Sequence, residues 1–293
     1  MLRFLVLTSL AALVLAEPVP QPRYLEDRLE RVVGGEVARP SSWPWQVALQ
    51  YSVLDFVFHI CGGTLIARGW VMTAAHCLLL DRRVETSFTL RKPGKMDLRD
   101  RMIIPRDYHV VLGEHDLNSF SGRKQIIGVS KVHIHPQWKK LADGYDIALL
   151  QLASEATLNS YVQLGSLPPS GQILPHNNLC YITGWGLTSI PPLAGGRLSN
   201  YLKQAFLPVV DHETCSRGDW WGSTVKTAMV CGGGGGTEAG CYGDSGSPLN
   251  CLVGGKYYVH GSFVSAFGCN VPKKPTVFTR VSAYVEWMSS IIV

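Results

Sequence analysis

The side chains able to do chemistry are a serine, a histidine and an aspartate in three unlike settings. Ser245 lies in "CYGDSGSP", a glycine-flanked turn just after a cysteine. A serine hydroxyl is a poor nucleophile at neutral pH. It needs a base within hydrogen-bond reach, a group that holds the base, and donors for the oxyanion that forms on attack. His76 closes the apolar run "VMTAAHC", next to Cys77, and can serve as that base. Asp146 stands at the mouth of the apolar strand in "GYDIALL". A carboxylate there is costly to bury without a partner such as a histidine ring N–H. Each residue alone is a weak signal, because glycine turns and lone histidines are common. Together they are the parts that catalysis by an alcohol requires.

The elements that must position them are strands. Short apolar runs with alternating or branched residues recur between Gly, Pro and Asn turns, among them "WQVALQY", "YHVVLG", "QIIGVSKVHI", "DIALLQL" and "KYYVHGSFVS". No helical pattern separates them, so an all-β fold is expected. Only the end reads as helix: in "VSAYVEWMSSII", Val281, Tyr284, Val285, Met288 and Ile292 recur at three-to-four spacing. The glycines at 232–236 form a loop without the Gly-Lys-Ser/Thr that phosphate binding needs. His133 and His135 share one face of a strand, but no third metal ligand is near and a packing role is expected.

The N-terminus points to export. A short basic start, Met1-Leu2-Arg3, precedes an apolar run from Phe4 to Ala16 that is too short to span a bilayer. Residues 1–16 read as a signal peptide, and no later run is long enough for a membrane span. The eight cysteines all lie downstream of this leader, and an even count in an exported chain reads as disulfides. The spacing alone does not pair them, and no Cys-x-x-Cys near histidine suggests zinc. The net charge of +5 is local: residues 81–107 hold eight Lys or Arg against five Asp or Glu. Mixed signs without interleaved aromatics argue against nucleic acid. Residues 17–31, "EPVPQPRYLEDRLER", are too polar and proline-rich to order themselves. They end at Arg31 before "VVGGE", a site for a trypsin-like protease or simply the end of a linker.

With "VVGG" after a basic residue, "SWPWQVAL", "CGGTLI", "VMTAAHC", "GYDIALL", "CYITGWG", "GDSGSPL" and "PTVFTRVSAYVEW" in this order, the chain resembles the chymotrypsin-like serine endopeptidases. Within them it looks most like the pancreatic elastases of the elastase-1 type, sharing "LNSYVQLG" and "WGSTVK". The resemblance implies a protease domain over 32–293 built as two six-stranded antiparallel β-barrels with a C-terminal helix, the active site lying between the barrels. It implies His76 as general base and acid, Asp146 as its orienting partner, and Ser245 as nucleophile, with the N–H groups of Gly243 and Ser245 as oxyanion hole. The bridges would be Cys61–Cys77, Cys180–Cys251, Cys215–Cys231 and Cys241–Cys269.

Residues 17–31 become an activation peptide: a cut after Arg31 frees the Val32 amine, which buries itself beside Asp244 and builds the oxyanion hole. Ala239 matches the floor of the primary pocket, where a trypsin-like member carries Asp; without that charge a basic side chain would be buried unpaired. Val264 and Thr276 match wall positions and would occlude a large pocket, leaving room for Ala, Val or Ser; the alternative is that both are ordinary strand residues. Ser262 and Val264 would pair with the substrate backbone. Trp220 and Trp221 could line an outer subsite. The implied partners are protein substrates, an activating trypsin-like protease and serine protease inhibitors, with no nucleic acid and no membrane. The implied molecule is a secreted, extracellular monomer that requires no cofactor.

Four departures stand out. Ser247 replaces the second glycine of "GDSGGP", costly if that position needs positive φ. Elastases usually carry two more residues between the counterparts of Gly261 and Ser262; a loss of two keeps each side chain on its face, so Ser262 is expected to point as before. About twenty extra residues lie between His76 and Asp146, mostly within 81–107. "GEHDLNSFSGRK" matches a calcium loop with Glu114 as ligand, but Lys124 stands where an acid is usual, which weakens calcium binding or abolishes it. Ser247, the short strand and the insertion together motivate an alternative: a catalytically impaired homologue serving as a binding module.

Overall fold

The computed structural model describes residues 35–54, 56–78, 107–119, 121–187, 197–265 and 269–292. The expected signal peptide (1–16), the expected activation peptide (17–31), the Arg31–Val32 bond and residues 81–106 of the extra loop lie outside the described residues.

Six strands, β2 (Gln46–Val53), β3 (Phe56–Ala67), β4 (Trp70–Thr73), β5 (Tyr108–Leu112), β6 (Gln125–Ile134) and β7 (Ala148–Leu152), close into an antiparallel barrel in the order β2-β3-β4-β7-β6-β5. The two-residue side-chain period explains how one strand serves two cores. Val47 and Leu49 of β2, Val110 and Leu112 of β5, and Leu150 and Leu152 of β7 fill the barrel. Residues alternating with them, Ala48, Val111 and Leu149, face outward into a second apolar cluster.

The other half contains β1 (Glu36–Val37), β8 (Cys180–Gly184), β9 (Lys203–Phe206), β10 (Val209–Val210), β11 (Met229–Gly232), β12 (Pro248–Val253), β13 (Lys256–Ser265) and β14 (Thr276–Arg280). They form one curled sheet in the order β1-β9-β8-β12-β13-β14-β11-β10. The all-β, two-unit expectation holds, with the second unit an open eight-stranded sheet rather than a closed six-stranded barrel. Its edge strands, β1 and β10, have two residues each, which leaves little unpaired backbone.

The halves meet over the second cluster, where Trp43, Trp45 and Met72 pack with Tyr181, Trp185 and Val259. The expected helix is a 3₁₀ turn, Val281–Ala283, followed by an α-helix, Val285–Ser289, and it buries Val281, Tyr284 and Met288 in the same cluster. A buried chain of side-chain hydrogen bonds also crosses the seam. Trp45 Nε1 donates to Asn250 Oδ1 (2.7 Å), and Asn250 Nδ2 donates to Thr183 Oγ1 (3.2 Å). Thr183 Oγ1 donates to Gln46 Oε1 (2.6 Å), and Gln46 Nε2 donates to Ser247 Oγ (3.4 Å). Out of water, each such group left unpaired costs about 1–3 kcal/mol, so the chain ties the two halves in one alignment.

Candidate active site

β4 and β7 pair from Trp70–Gln151 to Thr73–Ala148. Just past the end of this ladder, β4 runs into the 3₁₀ turn Ala75–Leu78 carrying His76, while Asp146 stands two residues before β7. The ladder therefore delivers both residues to one point. His76 Nδ1 donates to Asp146 Oδ2 at 2.7 Å, and the His76 backbone N–H donates to Asp146 Oδ1 at 2.9 Å. Both carboxylate oxygens thus hold the same residue. Asp146 is fully buried and His76 half-buried, a setting in which charge-assisted bonds gain strength. Thr279 Oγ1 anchors the Asp146 backbone carbonyl at 2.8 Å. With Nδ1–H committed to the carboxylate, the ring presents Nε2 as acceptor.

Ser245 comes from the other half, on the loop before β12. Its backbone carbonyl accepts from Gly62 N–H of β3 at 2.7 Å. A Cβ built on Gly246 (φ +77°) would overlap Thr73 Oγ1 and lie 3.0 Å from Ala74 N, so the loop abuts the segment that leads to His76. The Ser245 Oγ–His76 Nε2 hydrogen bond is not formed in this conformation; Nε2 lies 4.0 Å from the Cys77 sulfur. Such bonds commonly tighten only with substrate present. Gly243 has φ +93°, and a side chain there would meet Leu198 Cδ2 at 2.6 Å. His59 Nε2 donates to the Gly243 carbonyl at 3.1 Å, and burial holds this imidazole below its usual pKa, in the neutral form. The bond fixes the peptide that precedes Asp244 and Ser245.

Ser247 is not strained: its φ is outside the positive region, which among nearby residues holds only glycines. Its side chain is fully buried in a notch between the halves. A Cβ on Gly62 would overlap Ser247 Oγ, and one on Gly184 would lie 3.1 Å from it. Two glycines, one from each half, make the room that Ser247 fills.

Asp244 is buried at 1% exposure. Its Oδ1 accepts from Gly186 N–H (2.8 Å) and its Oδ2 from Cys241 N–H (3.0 Å). Burial nonetheless raises its pKa from 3.8 to about 6, against the pull of those two donors.

Around the expected pocket, Ala239 and Thr276 are both buried, and Gly240 N–H donates to Thr276 Oγ1 at 3.1 Å. Ser262 differs from expectation. It pairs with Pro248 of β12 on one side and Thr279 of β14 on the other, and its Oγ turns to the Gly246 carbonyl at 3.4 Å. A residue with strands on both flanks has no open edge for a substrate strand. Val264 is buried within a register shift between Phe263 and Ser265.

The eight cysteines form Cys61–Cys77, Cys180–Cys251, Cys215–Cys231 and Cys241–Cys269. The first closes 16 residues around His76, a constraint of about 3 kcal/mol. Its sulfurs and His76 lie within 4.8 Å of one another, but a disulfide offers no thiolate to a metal. In the loop compared with calcium sites, Glu114 Oε1 accepts from His115 N–H (2.9 Å) and Asp116 N–H (3.3 Å), and its Oε2 from Ser121 Oγ (3.3 Å). Lys124 Nζ donates to the Ser119 carbonyl at 3.2 Å. An ammonium on a loop carbonyl and a carboxylate already occupied by donors do not suit a cation that wants six to eight oxygens. His135 stacks on Tyr145 at 5.1 Å and His133 lies against Trp70 at 5.4 Å, so both pack against aromatics. Trp221 Nε1 donates to the Pro275 carbonyl at 2.9 Å, holding the loop beside β14.

Sequence reasoning missed His59 and Thr279, which act through space across 184 residues from His59 to Gly243 and 133 from Thr279 to Asp146. Only the "FHICGG" run around His59 offered a local hint.

The family model described as Trypsin matches residues 32–288. Chymotrypsin-like elastase family member 1 of Bos taurus is 52% identical over 296 aligned residues, covering 100% of this chain and 99% of the relative. The Rattus norvegicus protein of the same name is 51% identical with the same coverage. That of Homo sapiens is 51% identical over 266 residues, 89% of this chain and 92% of the relative.

Proposed function

The chain belongs to the trypsin family of serine proteases, and on that premise we propose a secreted serine endopeptidase, made as a zymogen, that cuts proteins after small aliphatic residues such as Ala. The observation that carries this reading is the two-pronged grip of Asp146 on His76 beside a Ser245 loop bonded to Gly62. In the proposed reaction, Ser245 Oγ attacks the peptide carbonyl as its proton passes to His76 Nε2. Asp146 stabilises the imidazolium, and the N–H groups of Gly243 and Ser245 receive the oxyanion. His76 then gives the proton to the leaving amine; water, activated by the same ring, releases the acid and restores Ser245. The cut after Arg31 would bring the Val32 ammonium to Asp244, whose raised pKa reports a buried acid short of a cation. Relatives named as elastases and the uncharged Ala239 both support small-residue preference. Lys124 is proposed as the loop's internal cation, so a chelator should leave the melting temperature unchanged.

Trypsin treatment followed by a small fluorophosphonate tests the reading. The expected result is an N-terminus at Val32, one adduct on Ser245, and loss of both adduct and peptidase activity in Ser245→Ala. Folded, correctly cut protein without an adduct would instead support the binding-module reading that the unformed Ser245–His76 bond permits.

A further inference from the structure

On its C-terminal side Asp146 runs into β7, and Thr279 anchors its carbonyl. On its N-terminal side the backbone takes an unusual path. Gly144 and Tyr145 both have positive φ, +82° and +60°. That region suits glycine; for a bulky aromatic it is strained and persists only where the surroundings enforce it. Ile147 N–H then donates to the Tyr145 carbonyl, two residues back, at 2.8 Å, so Asp146 is the central residue of a tight turn. Its carboxylate leaves from the apex. A change in φ at Tyr145 swings that apex, and with it both oxygens that hold His76.

His135 brackets the turn. Its backbone N–H donates to the Ile147 carbonyl at 3.1 Å, which ties down the residue after Asp146. Its ring lies nearly parallel to that of Tyr145, with 18° between the planes and 5.1 Å between centroids, which ties down the residue before. The C-terminal segment adds two more rings. Trp287 stands 4.9 Å from the imidazole, and Tyr284 stands edge-on to it at 5.3 Å. Tyr284 is also edge-on to Tyr145 at 6.2 Å and shares a backbone hydrogen bond with it. Stacked and edge-on pairs are the arrangements aromatic rings favour. His135 Nδ1 accepts from Gln137 N–H at 3.3 Å, so the imidazole cannot turn without losing that bond.

We propose that His135 is a positioning residue for the reaction: by clamping Tyr145 in its left-handed conformation, its ring holds Asp146 where both carboxylate oxygens meet His76. The proposal rests on the protease reading above and adds to it a residue remote from the reacting atoms. What the clamp requires is a flat ring. An aliphatic side chain of similar size would fill the space but give Tyr145 no face to stack on.

The full chain, cut after Arg31, is compared on an Ala peptide with His135→Leu, His135→Phe, Tyr145→Gly and the His135→Leu/Tyr145→Gly pair. Because misplacing a catalytic group by about 1 Å can cost on the order of 100-fold, His135→Leu should lower kcat by about 10–100-fold with KM within about twofold. His135→Phe restores a flat ring and should recover most of the loss. Tyr145→Gly leaves the positive φ accessible but removes the stacked ring, and should lower kcat as His135→Leu does. Adding His135→Leu to it should cost no more than about twofold further, because the clamp is already gone. A second readout needs no turnover. The proton between His76 Nδ1 and Asp146 Oδ2, deshielded by a short charge-assisted bond, is read from its downfield ¹H resonance. It should broaden or vanish in His135→Leu and persist in His135→Phe. Should His135→Leu fail to fold, Tyr145→Gly and His135→Phe still decide. Either readout unchanged in folded His135→Leu or Tyr145→Gly, or losses that multiply in the double variant, overturns the proposal. If folded, cut parent takes no fluorophosphonate at Ser245 while the resonance still responds, the protease reading fails and the placement of Asp146 by His135 stands.

Discussion

In the closed barrel, β4 and β7 pair over four consecutive residues without a shift and release His76 and Asp146 just beyond the last pair. In the open sheet, β13 reaches the Ser245 loop through two register shifts, and its residues no longer stand where an unbroken strand would put them. His76 and Asp146 thus follow a regular scaffold, whereas the strand beside the Ser245 loop is an irregular one. The difference follows from what each must do. A proton relay tolerates little displacement, since misplacing a catalytic group by about 1 Å can cost on the order of 100-fold. Strand β13 is held instead by its neighbours, with Phe263 N–H on the Ser247 carbonyl and Gly246 N–H on the Phe263 carbonyl.

The sharpest way to break this contrast is at Asp146. In Asp146→Asn the amide can accept one of the two His76 N–H groups but must present a donor to the other, which turns the ring to the wrong tautomer. The expected outcome is a fall in kcat of about 10⁴-fold with the fold retained. Turnover on an Ala peptide, beside far-UV circular dichroism, reads it. A variant within tenfold of the parent would mean that the regular half does not hold the base for catalysis.

Asp244 gives the next largest effect. Its pKa in the folded chain, about 6 against an ordinary 3.8, means that folding takes up a proton. The stability contributed by the neutral acid is whole below pH 3.8 and is lost as the pH rises through about 6, a loss of about 3 kcal/mol. A Val32 ammonium beside the carboxylate would cancel that loss. Melting curves of uncut and cut protein should therefore draw together as the pH falls toward 3.8 and be fully separated above pH 6, with the cut form the more stable. Parallel curves from pH 4.5 to 8 would show that Asp244 does not sense the cut.

What could be read from the sequence follows the same division. Alternation in "WQVALQY" and "DIALLQL" foretells which of Val47, Ala48 and Leu49 face the barrel, because a regular strand repeats every two residues. His76 and Asp146 announce themselves at strand ends, where polar groups interrupt apolar runs. Phe263 could not be placed, because a bulge leaves no periodic trace and this strand has two. The bond from Trp45 to Asn250 spans 205 residues and depends on how the two halves dock. The pairing of the cysteines came from resemblance alone, since spacing carries no direction in space. Ser247 looked like a strained intruder only because its φ was unknown.

That residue allows the smallest and most local test. Gly62→Ala sets a methyl group onto Ser247, overlapping its Oγ and lying 2.9 Å from its Cβ and 3.0 Å from its Cα. Overpacking of this kind costs about 1–3 kcal/mol, read from urea unfolding. In Gly62→Ala/Ser247→Gly the Oγ and Cβ are gone while the crowding against the residue 247 backbone persists, so recovery should be partial. Ser247→Gly alone removes the acceptor for Gln46 Nε2 but relieves no clash, and a change of about 1 kcal/mol or less is expected. If the double variant is no more stable than Gly62→Ala, the two residues are not coupled. Recovery of stability with an unchanged labelling rate at Ser245 would locate Ser247 in the seam between the halves and outside the chemistry. The second glycine of the motif would then be needed only where a partner strand leaves no notch.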